Sequence, residues 1–193
     1  MIFSKELTYF PFAQKAAVKY NVPVSLILGH IKQESNFDPN AYRNEPAIKD
    51  ASYGLMQILV GTARGMDSSA TAGKLLDPDY NVDLGTRLIA KNLIRYGGDV
   101  KSEAAAYNAG TAYKDASGNY ISKSGNTAVQ GYVDKVYSNY QYYMKWLASG
   151  AKEVDVTMIN PVLAIGFVAL SGIVFGTYYY MQKNKGGRYV SVR

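Results

Sequence analysis

Glu34 is the residue of this sequence whose type and position best suit acid–base chemistry. It follows Val24, Ile27 and Ile31 at helical intervals of three, four and three residues, so all four side chains share one face of a helix. A carboxylate that continues an apolar stripe is partly desolvated, and desolvation raises its pKa. A protonated carboxyl group near neutral pH is able to give a proton to a glycosidic oxygen. The alternative, from spacing alone, is that the helix has ended by Glu34 and the side chain is solvated.

The composition limits the other chemistry that this chain is able to perform. Its 193 residues include no cysteine and a single histidine, His30, which excludes disulfides and thiolate sites and argues against a histidine triad or a zinc site. Acid–base chemistry therefore falls to Asp, Glu, Tyr or Lys, and we expect neither a cofactor nor a metal. The net charge of +6 comes from mostly scattered basic residues without a dense Lys/Arg stripe, so nucleic-acid binding is not expected.

Helical patterns cover most of the first 150 residues, so helices are expected to position Glu34 and the other candidate acid–base side chains. Apolar spacing, caps and breakers predict a loop at 38–53, a loop or small hairpin at 111–130, and helices at 5–20, 23–35, 54–66, 77–99, 100–110 and 131–149. We find no convincing set of strands and no internal repeat. The fold class is therefore predicted to be mainly α.

The C-terminal part of the chain has a different composition. Residues 161–180 include no charged side chain, and a helix of twenty residues rises about 30 Å, the thickness of a bilayer's hydrocarbon core. We predict a short linker at 151–160, a transmembrane helix at 161–181 that binds the lipid bilayer, and a basic tail at 182–193. Gly172 and Gly176 form a GxxxG pattern that suits association between helices. The alternative, a buried core helix, would need a larger protein around it.

Four short motifs together resemble one known family. ES (34–35), YGLMQI (53–58), AAYNAG (105–110) and YV (132–133) follow one another as in the lytic transglycosylases. The resemblance covers roughly residues 10–145, so a catalytic domain is expected within residues 1–150. It implies a mainly α, goose-type lysozyme-like domain, here followed by the C-terminal transmembrane helix. The substrate implied is peptidoglycan, cut between N-acetylmuramic acid and N-acetylglucosamine.

The resemblance also implies roles for individual residues. Glu34 matches the single catalytic acid/base, Tyr132 matches the tyrosine whose hydroxyl approaches that carboxyl, and Ser35 matches a residue that helps hold the sugar's acyl group or the intermediate. Gly54 is expected to let the chain pass close to Glu34 without a Cβ clash. The other substrate-binding positions match the lining of the cleft and a Tyr-Asn pair near the scissile bond: Leu55, Met56, Gln57, Tyr107 and Asn108.

The reaction implied by the family needs only one carboxyl group. The C6 hydroxyl of the muramic acid attacks its own anomeric carbon and gives a 1,6-anhydro sugar. A muramidase that activates water remains the alternative, and Asp38 and Asp50 are the candidate partners of Glu34 for that reaction. Asp38 directly precedes Pro39, so it is expected to shape a turn. A wall-binding or structural membrane protein without catalytic activity is a third reading.

The ends of the sequence suggest a biological setting. The first twenty residues lack the pattern of a secretory signal, whereas the basic residues after the apolar segment favour a cytoplasmic tail. These two features fit a protein carried in a membrane-containing bacteriophage particle. In that setting it would open the host cell wall as the viral genome enters.

Overall fold

The computed structural model describes residues 4–150 and two short strands at residues 179–180 and 190–191. The chain divides into two units, Met1–Tyr143 and Met144–Arg193. The first unit contains every residue for which a chemical role is predicted.

Two helices open the first unit and confirm the predicted pattern. α1 spans Ser4–Tyr20, and α2 spans Val24–Ser35. Every residue from 24 to 31 is buried, as expected for a largely apolar segment of a helix in a core.

The end of α2 determines where Glu34 lies. Asn36 adopts the left-handed conformation, with φ of 51°, and donates its N–H to the carbonyl of Lys32. This capping arrangement closes the helix after Ser35. Glu34 is therefore in the last turn of α2, and the alternative in which the helix ends before it is wrong.

A small antiparallel sheet follows α2. β1 spans Tyr42–Glu45, β2 spans Asp50–Tyr53 and β3 spans Ile58–Leu59, in the spatial order β1-β2-β3. The register places Tyr42 opposite Tyr53, and Tyr53 is also paired with Ile58.

The sheet corrects two predictions. The segment 38–53 contains β1 and β2 rather than a loop alone, and only Val60–Arg64, helix α3, is helical within the predicted helix at 54–66. Three of the four residues of β1 are exposed, so the alternation of apolar and polar residues that identifies a half-buried strand is absent. Between β2 and β3, the positive φ of Gly54 and Gln57 replaces a helix by a turn.

Three helices complete the first unit, and they confirm the sequence prediction. α4 spans Pro78–Arg95, α5 spans Val100–Ala109 and α6 spans Ala128–Gly150, the last helix continuing into the second unit. Asp77 and Asp99 cap the starts of α4 and α5 by accepting backbone N–H groups, as aspartate does at a helix N-terminus.

A small hairpin joins α5 to α6, as expected for 111–130. It consists of β4, Tyr113–Lys114, and β5, Tyr120–Ile121. Tyr120 is buried, and its hydroxyl lies 3.0 Å from the Ser102 Oγ of α5. The side chain of Gln130 in α6 accepts the backbone N–H of Tyr120 at 2.8 Å. The hairpin therefore connects the two helices that carry Tyr107 and Tyr132.

In the second unit, the described strands are β6, Tyr179–Tyr180, and β7, Val190–Ser191, which pair antiparallel. Tyr179 and Tyr180 are therefore not helical, and the predicted helix at 161–181 cannot extend through them; aromatic residues favour strands. The rest of that helix, the linker at 151–160 and the GxxxG pair lie outside the described residues. None of the helices within the described part of the chain combines the length and apolar composition needed to cross a bilayer.

Asn81 of α4 fixes the turn between β2 and β3. Its side chain is fully buried. The Oδ1 atom accepts the backbone N–H of Met56 at 2.8 Å. The Nδ2 atom donates to the carbonyls of Tyr53 and Leu75, each also at 2.8 Å. One buried amide therefore bonds to three backbone groups and holds them together.

Replacing Asn81 by alanine tests this bracing role. Because the Asn81→Ala change removes three buried hydrogen bonds, we expect it to lower the free energy of unfolding by about 3 kcal/mol or more. The exposed Asn44 of β1 provides a matched control, since Asn44→Ala should change stability by less than about 0.5 kcal/mol. Urea denaturation measures both, and equal effects of the two changes would contradict the bracing role.

Candidate active site

The carboxyl group of Glu34 is half-buried in the last turn of α2. Burial is the largest influence on it and raises its pKa above the ordinary value of 4.5. Three weaker influences lower the pKa of Glu34. They are the hydrogen bond from Tyr132, the charge of His30 and the charge of Arg43. Because burial outweighs them, Glu34 keeps its proton to a higher pH than a solvated glutamate does.

Tyr132 makes the shortest contact with Glu34. Its hydroxyl donates to Oε1 of Glu34 at 2.5 Å, although 98 residues separate the two in sequence. Burial, followed by the charge of Glu34, raises the pKa of Tyr132 well above its ordinary value of 10.0. The tyrosine therefore keeps its proton and acts as a donor. The structure thus brings together the acid and the tyrosine predicted from the ES and YV motifs.

Two further hydroxyl groups hold the turn that contains Leu55 and Met56. Ser35 Oγ donates to the carbonyl of Leu55 at 2.8 Å. The Tyr107 hydroxyl donates to the carbonyl of Met56 at 2.9 Å. Ser35 and Tyr107, which are predicted as substrate contacts, therefore connect α2 and α5 to the turn through its backbone.

The side chains of Leu55 and Met56 have no exposed surface. They pack in the core, where a Cβ atom added to Gly85 of α4 would lie 2.4 Å from the Met56 sulfur. The predicted lining of a cleft is therefore not made by these two side chains.

Gly54 is needed at its position for a different reason from the one predicted. Its φ of +76° favours glycine, and an added Cβ would lie 2.4 Å from the Leu75 carbonyl oxygen and 2.5 Å from Asn81 Nδ2. The close approach is thus to these two groups and not to Glu34.

The amide of Gln57, a predicted polar contact to glycan, is bonded within the protein. Its Oε1 accepts from the Ser52 hydroxyl at 3.0 Å. Its Nε2 donates to the carbonyls of Ala41 at 3.0 Å and Gly54 at 3.1 Å. The side chain therefore closes the turn onto the start of the sheet.

Asn108 is the exposed member of the predicted set. It lies near the end of α5, directly after Tyr107. Gly110, with φ of +75°, closes that helix by donating its N–H to the carbonyl of Ala106. The amide of Asn108 is therefore accessible beside the site and offers both a donor and an acceptor.

The two candidates for a second catalytic carboxylate have structural roles instead. Asp38 Oδ1 accepts the N–H of Asn40 at 2.9 Å, which is the turn that the sequence predicts. Asp50 accepts the backbone N–H of Ala51 at 2.7 Å and that of Gly61 at 2.8 Å. Within the part of the chain that the structure describes, no group of three His, Asp or Glu side chains is arranged to hold a metal.

Sequence reasoning missed three charged or titratable residues at the site: His30, Arg43 and Glu103. His30 and Glu103 are fully buried and lie 2.9 Å apart. His30 lies four residues before Glu34, and Glu103 lies four residues before Tyr107. Residues at that interval share a helix face. This spacing was the one feature of the sequence that could have indicated that His30 and Glu103 lie at the site. Arg43 gave no such signal, because its charge acts on Glu34 from β1, a strand that the sequence does not reveal.

The chain is similar to known lytic transglycosylases. Residues 11–129 match the family described as Transglycosylase SLT domain. The membrane-bound lytic murein transglycosylase C of Serratia proteamaculans is 33% identical over 121 residues, which is 58% of this chain and 32% of that protein. Its counterpart in Yersinia pestis is 31% identical over 121 residues, with the same coverage of each chain. The chain thus spans about a third of the length of these curated relatives.

Solved structures share the fold. The 70 kDa soluble lytic transglycosylase from Escherichia coli has a TM-score of 0.58 and 26% identity, covering 71% of this chain and 24% of that one. The complex of the 70 kDa soluble lytic transglycosylase with bulgecin A has a TM-score of 0.60 and 26% identity, covering 74% of this chain and 25% of that one. The mainly helical, lysozyme-like fold predicted from the sequence is therefore confirmed.

The raised pKa of Glu34 predicts how stability depends on pH. The unfolded chain releases this proton near pH 4.5, whereas the folded protein holds it to higher pH. The stabilising contribution is therefore complete below pH 4.5 and is lost as the pH rises through the folded pKa. A Glu34→Gln variant cannot ionise, so above pH 4.5 we expect it to become more stable than the parent by about 1.4 kcal/mol per unit of raised pKa.

Urea denaturation of the parent and Glu34→Gln at several pH values measures this difference. The low-pH limit is an internal control, because both side chains are neutral there. A difference that does not change with pH would mean that the Glu34 pKa is not raised.

Proposed function

The chain belongs to the transglycosylase SLT domain family, and we propose that it cleaves peptidoglycan as a lytic transglycosylase. The observation that carries this proposal is the half-buried Glu34, whose pKa is raised by burial and whose Oε1 accepts a hydrogen bond from Tyr132. With Oε1 engaged by the tyrosine, the second carboxyl oxygen is the one left to exchange a proton with substrate.

In the proposed reaction, Glu34 acts first as an acid and then as a base. Its proton goes to the oxygen of the bond between N-acetylmuramic acid and N-acetylglucosamine as the bond from that oxygen to the muramic C1 breaks. The C6 hydroxyl oxygen of the same muramic acid forms a bond to C1, and its proton goes to the Glu34 carboxylate. The products are a 1,6-anhydro end and a free 4-hydroxyl group, and Glu34 is again protonated.

Internal attack by the sugar is consistent with the contacts of the two candidate second carboxylates. Asp38 and Asp50 already accept backbone N–H groups, so neither is arranged as a base for water. A hydroxyl on the sugar itself is held close to C1 and needs no second carboxylate to position it. This observation favours the lyase over the muramidase.

The other predicted site residues have two proposed roles, which are to hold the backbone of the turn at 54–57 and to bind the glycan. We propose that Ser35, Tyr107 and Gln57 position the backbone of the turn at 54–57, because their polar groups bond to it or to its neighbours. The exposed amide of Asn108 is the proposed direct contact to an N-acetyl group or ring hydroxyl of the glycan.

The mass of the digestion products tests this function. The full-length protein acting on purified peptidoglycan should release fragments with anhydro ends, each lighter by one water than a hydrolysed end. Glu34→Gln should lower kcat by about 10³-fold, within the range for loss of a general acid, whereas Asp50→Asn should leave the anhydro product unchanged. Reducing ends would establish a muramidase instead, and an inactive parent would favour the wall-binding reading.

We propose that the C-terminal part of the chain attaches the enzyme to a membrane. Support comes from the sequence: residues 161–178 contain no charge, and Lys183, Lys185, Arg188 and Arg193 follow them. Eighteen helical residues span about 27 Å, close to the hydrocarbon thickness. Association through Gly172 and Gly176, and wall opening by a bacteriophage particle as its genome enters, stay predictions.

Flotation with lipid vesicles tests the anchor. The full-length protein should rise with the vesicles in a density gradient. The double change Val168→Arg and Leu170→Arg should release it, since each arginine at the centre of a span costs about 3 kcal/mol. The control adds the same charges outside the apolar stretch, through Gln182→Arg and Asn184→Arg, and should still float. A parent protein that stays with the unbound fraction contradicts the proposal.

A further inference from the structure

The proposed reaction leaves one buried pair of titratable side chains without a role. His30 of α2 and Glu103 of α5 both have 0% exposed surface, and Nε2 of His30 lies 2.9 Å from Oε2 of Glu103. The Nδ1 atom of the same imidazole lies 3.3 Å from the hydroxyl oxygen of Tyr132. Glu103, His30, Tyr132 and Glu34 therefore form one continuous chain of polar contacts that ends at the proposed catalytic carboxyl.

The pair is poorly explained by stability alone. A buried ion pair is often no more stabilising than apolar residues of similar size, and the helix around Glu103 consists largely of buried alanines. Within the part of the chain that the structure describes, the Oε1 atom of Glu103 has no hydrogen-bond partner. An apolar pair at these positions would avoid that cost, so a role beyond packing is indicated.

The direction of the hydrogen bonds follows from the number of protons available. Tyr132 has one hydroxyl proton, and the 2.5 Å contact places it between Tyr132 and Glu34. In the proposed reaction the Glu34 proton is on the other carboxyl oxygen, so Oε1 accepts the tyrosine proton. The Nδ1 atom of His30 then faces the lone pairs of the tyrosine oxygen, and this contact is a hydrogen bond only when Nδ1 carries a proton. The Nε2 atom faces the Glu103 carboxyl group at 2.9 Å, and an ionised carboxylate is able only to accept. Every contact is satisfied when both ring nitrogens of His30 carry a proton and Glu103 is ionised.

We propose that His30, held as an imidazolium by Glu103, is a positioning residue for the Tyr132 hydroxyl and, through it, for the Glu34 carboxyl. This inference rests on the proposed function of Glu34. The imidazolium donates to the tyrosine oxygen, so the tyrosine's proton stays directed at Glu34 Oε1 while the other carboxyl oxygen gives and takes the catalytic proton. A neutral His30 with a bare Nδ1 would instead compete for the hydroxyl proton.

The groups that face His30 agree with this assignment. Glu103 and Tyr107 face it from α5, with the Tyr107 ring centroid 4.5 Å away, while Tyr132 faces it from α6 and Glu34 lies on its own helix. Glu103 compensates the positive charge of the imidazolium at hydrogen-bond distance. The same positive charge lowers the pKa of Glu34, which limits the increase caused by burial.

Nitrogen-15 NMR tests the protonation state without relying on activity. His30 is the only histidine of the chain, so its two ring nitrogens give unambiguous signals. At pH 7, where a solvated imidazole is mostly neutral, the parent protein should show both nitrogens protonated. The Glu103→Gln variant should show one of them unprotonated. A bare Nδ1 in the parent would overturn the inference even if the enzyme is active.

Kinetics test the positioning role. Glu103→Gln should lower kcat about 10- to 100-fold, as expected when a reacting group is misplaced, with KM changed less than about twofold. The double variant His30→Phe with Glu103→Leu removes the whole pair and leaves no unpaired buried charge, so it should fold with nearly the parental stability while its kcat falls by the same factor.

The control for loss of a buried hydrogen bond is Tyr143→Phe, since the Tyr143 hydroxyl donates to Glu6 at 3.3 Å elsewhere in the first unit. This variant should keep the parental kcat. A double variant as active as the parent would overturn the inference. A parent that releases no anhydro product would overturn the proposed function, and the nitrogen-15 spectrum would still decide the state of His30.

Discussion

The hydrogen bond from the Tyr132 hydroxyl to the Glu34 carboxyl is the contact on which the site depends. It joins the last turn of α2 to α6 across 98 residues of sequence, so it forms only when the helices of the first unit are packed. Burial and this bond act on Glu34 in opposite directions, burial raising its pKa and the bond lowering it. A general acid needs such a balance, because it must hold its proton near neutral pH and still release it to substrate.

The helical part of the fold was predictable because its signals are local. The apolar run before Glu34 predicted a buried α2. In the structure Asp77 and Asp99 cap the starts of α4 and α5, and Gly110 closes α5. The sheet was not predictable in the same way. β1 has mostly exposed side chains, and β3 has only two residues. The pairing of β3 with β2 depends on the turn that Asn81 holds from α4, a contact that no local pattern reveals.

The sequence predicted that Glu34 and Tyr132 come together, but it only partly predicted what the other candidate side chains contact. Motif order placed Glu34 and Tyr132 together correctly, since the order of motifs encodes the fold that unites them. It did not separate residues that face a ligand from those that brace the backbone. Leu55 and Gln57 belong to the second kind. His30 and Glu103 were missed because the motifs do not include them, although each lies one helical turn before a residue that the motifs do include.

The measurement that tests this account most directly is a carbon-13 NMR titration of the Glu34 side-chain carboxyl in the folded protein. The account requires that the packed helices keep this carboxyl protonated beyond the range of a solvated glutamate. We expect the midpoint for Glu34 to lie above 4.5. A midpoint at or below 4.5 would contradict the central claim, because Glu34 would then be ionised near neutral pH and would have no proton to give.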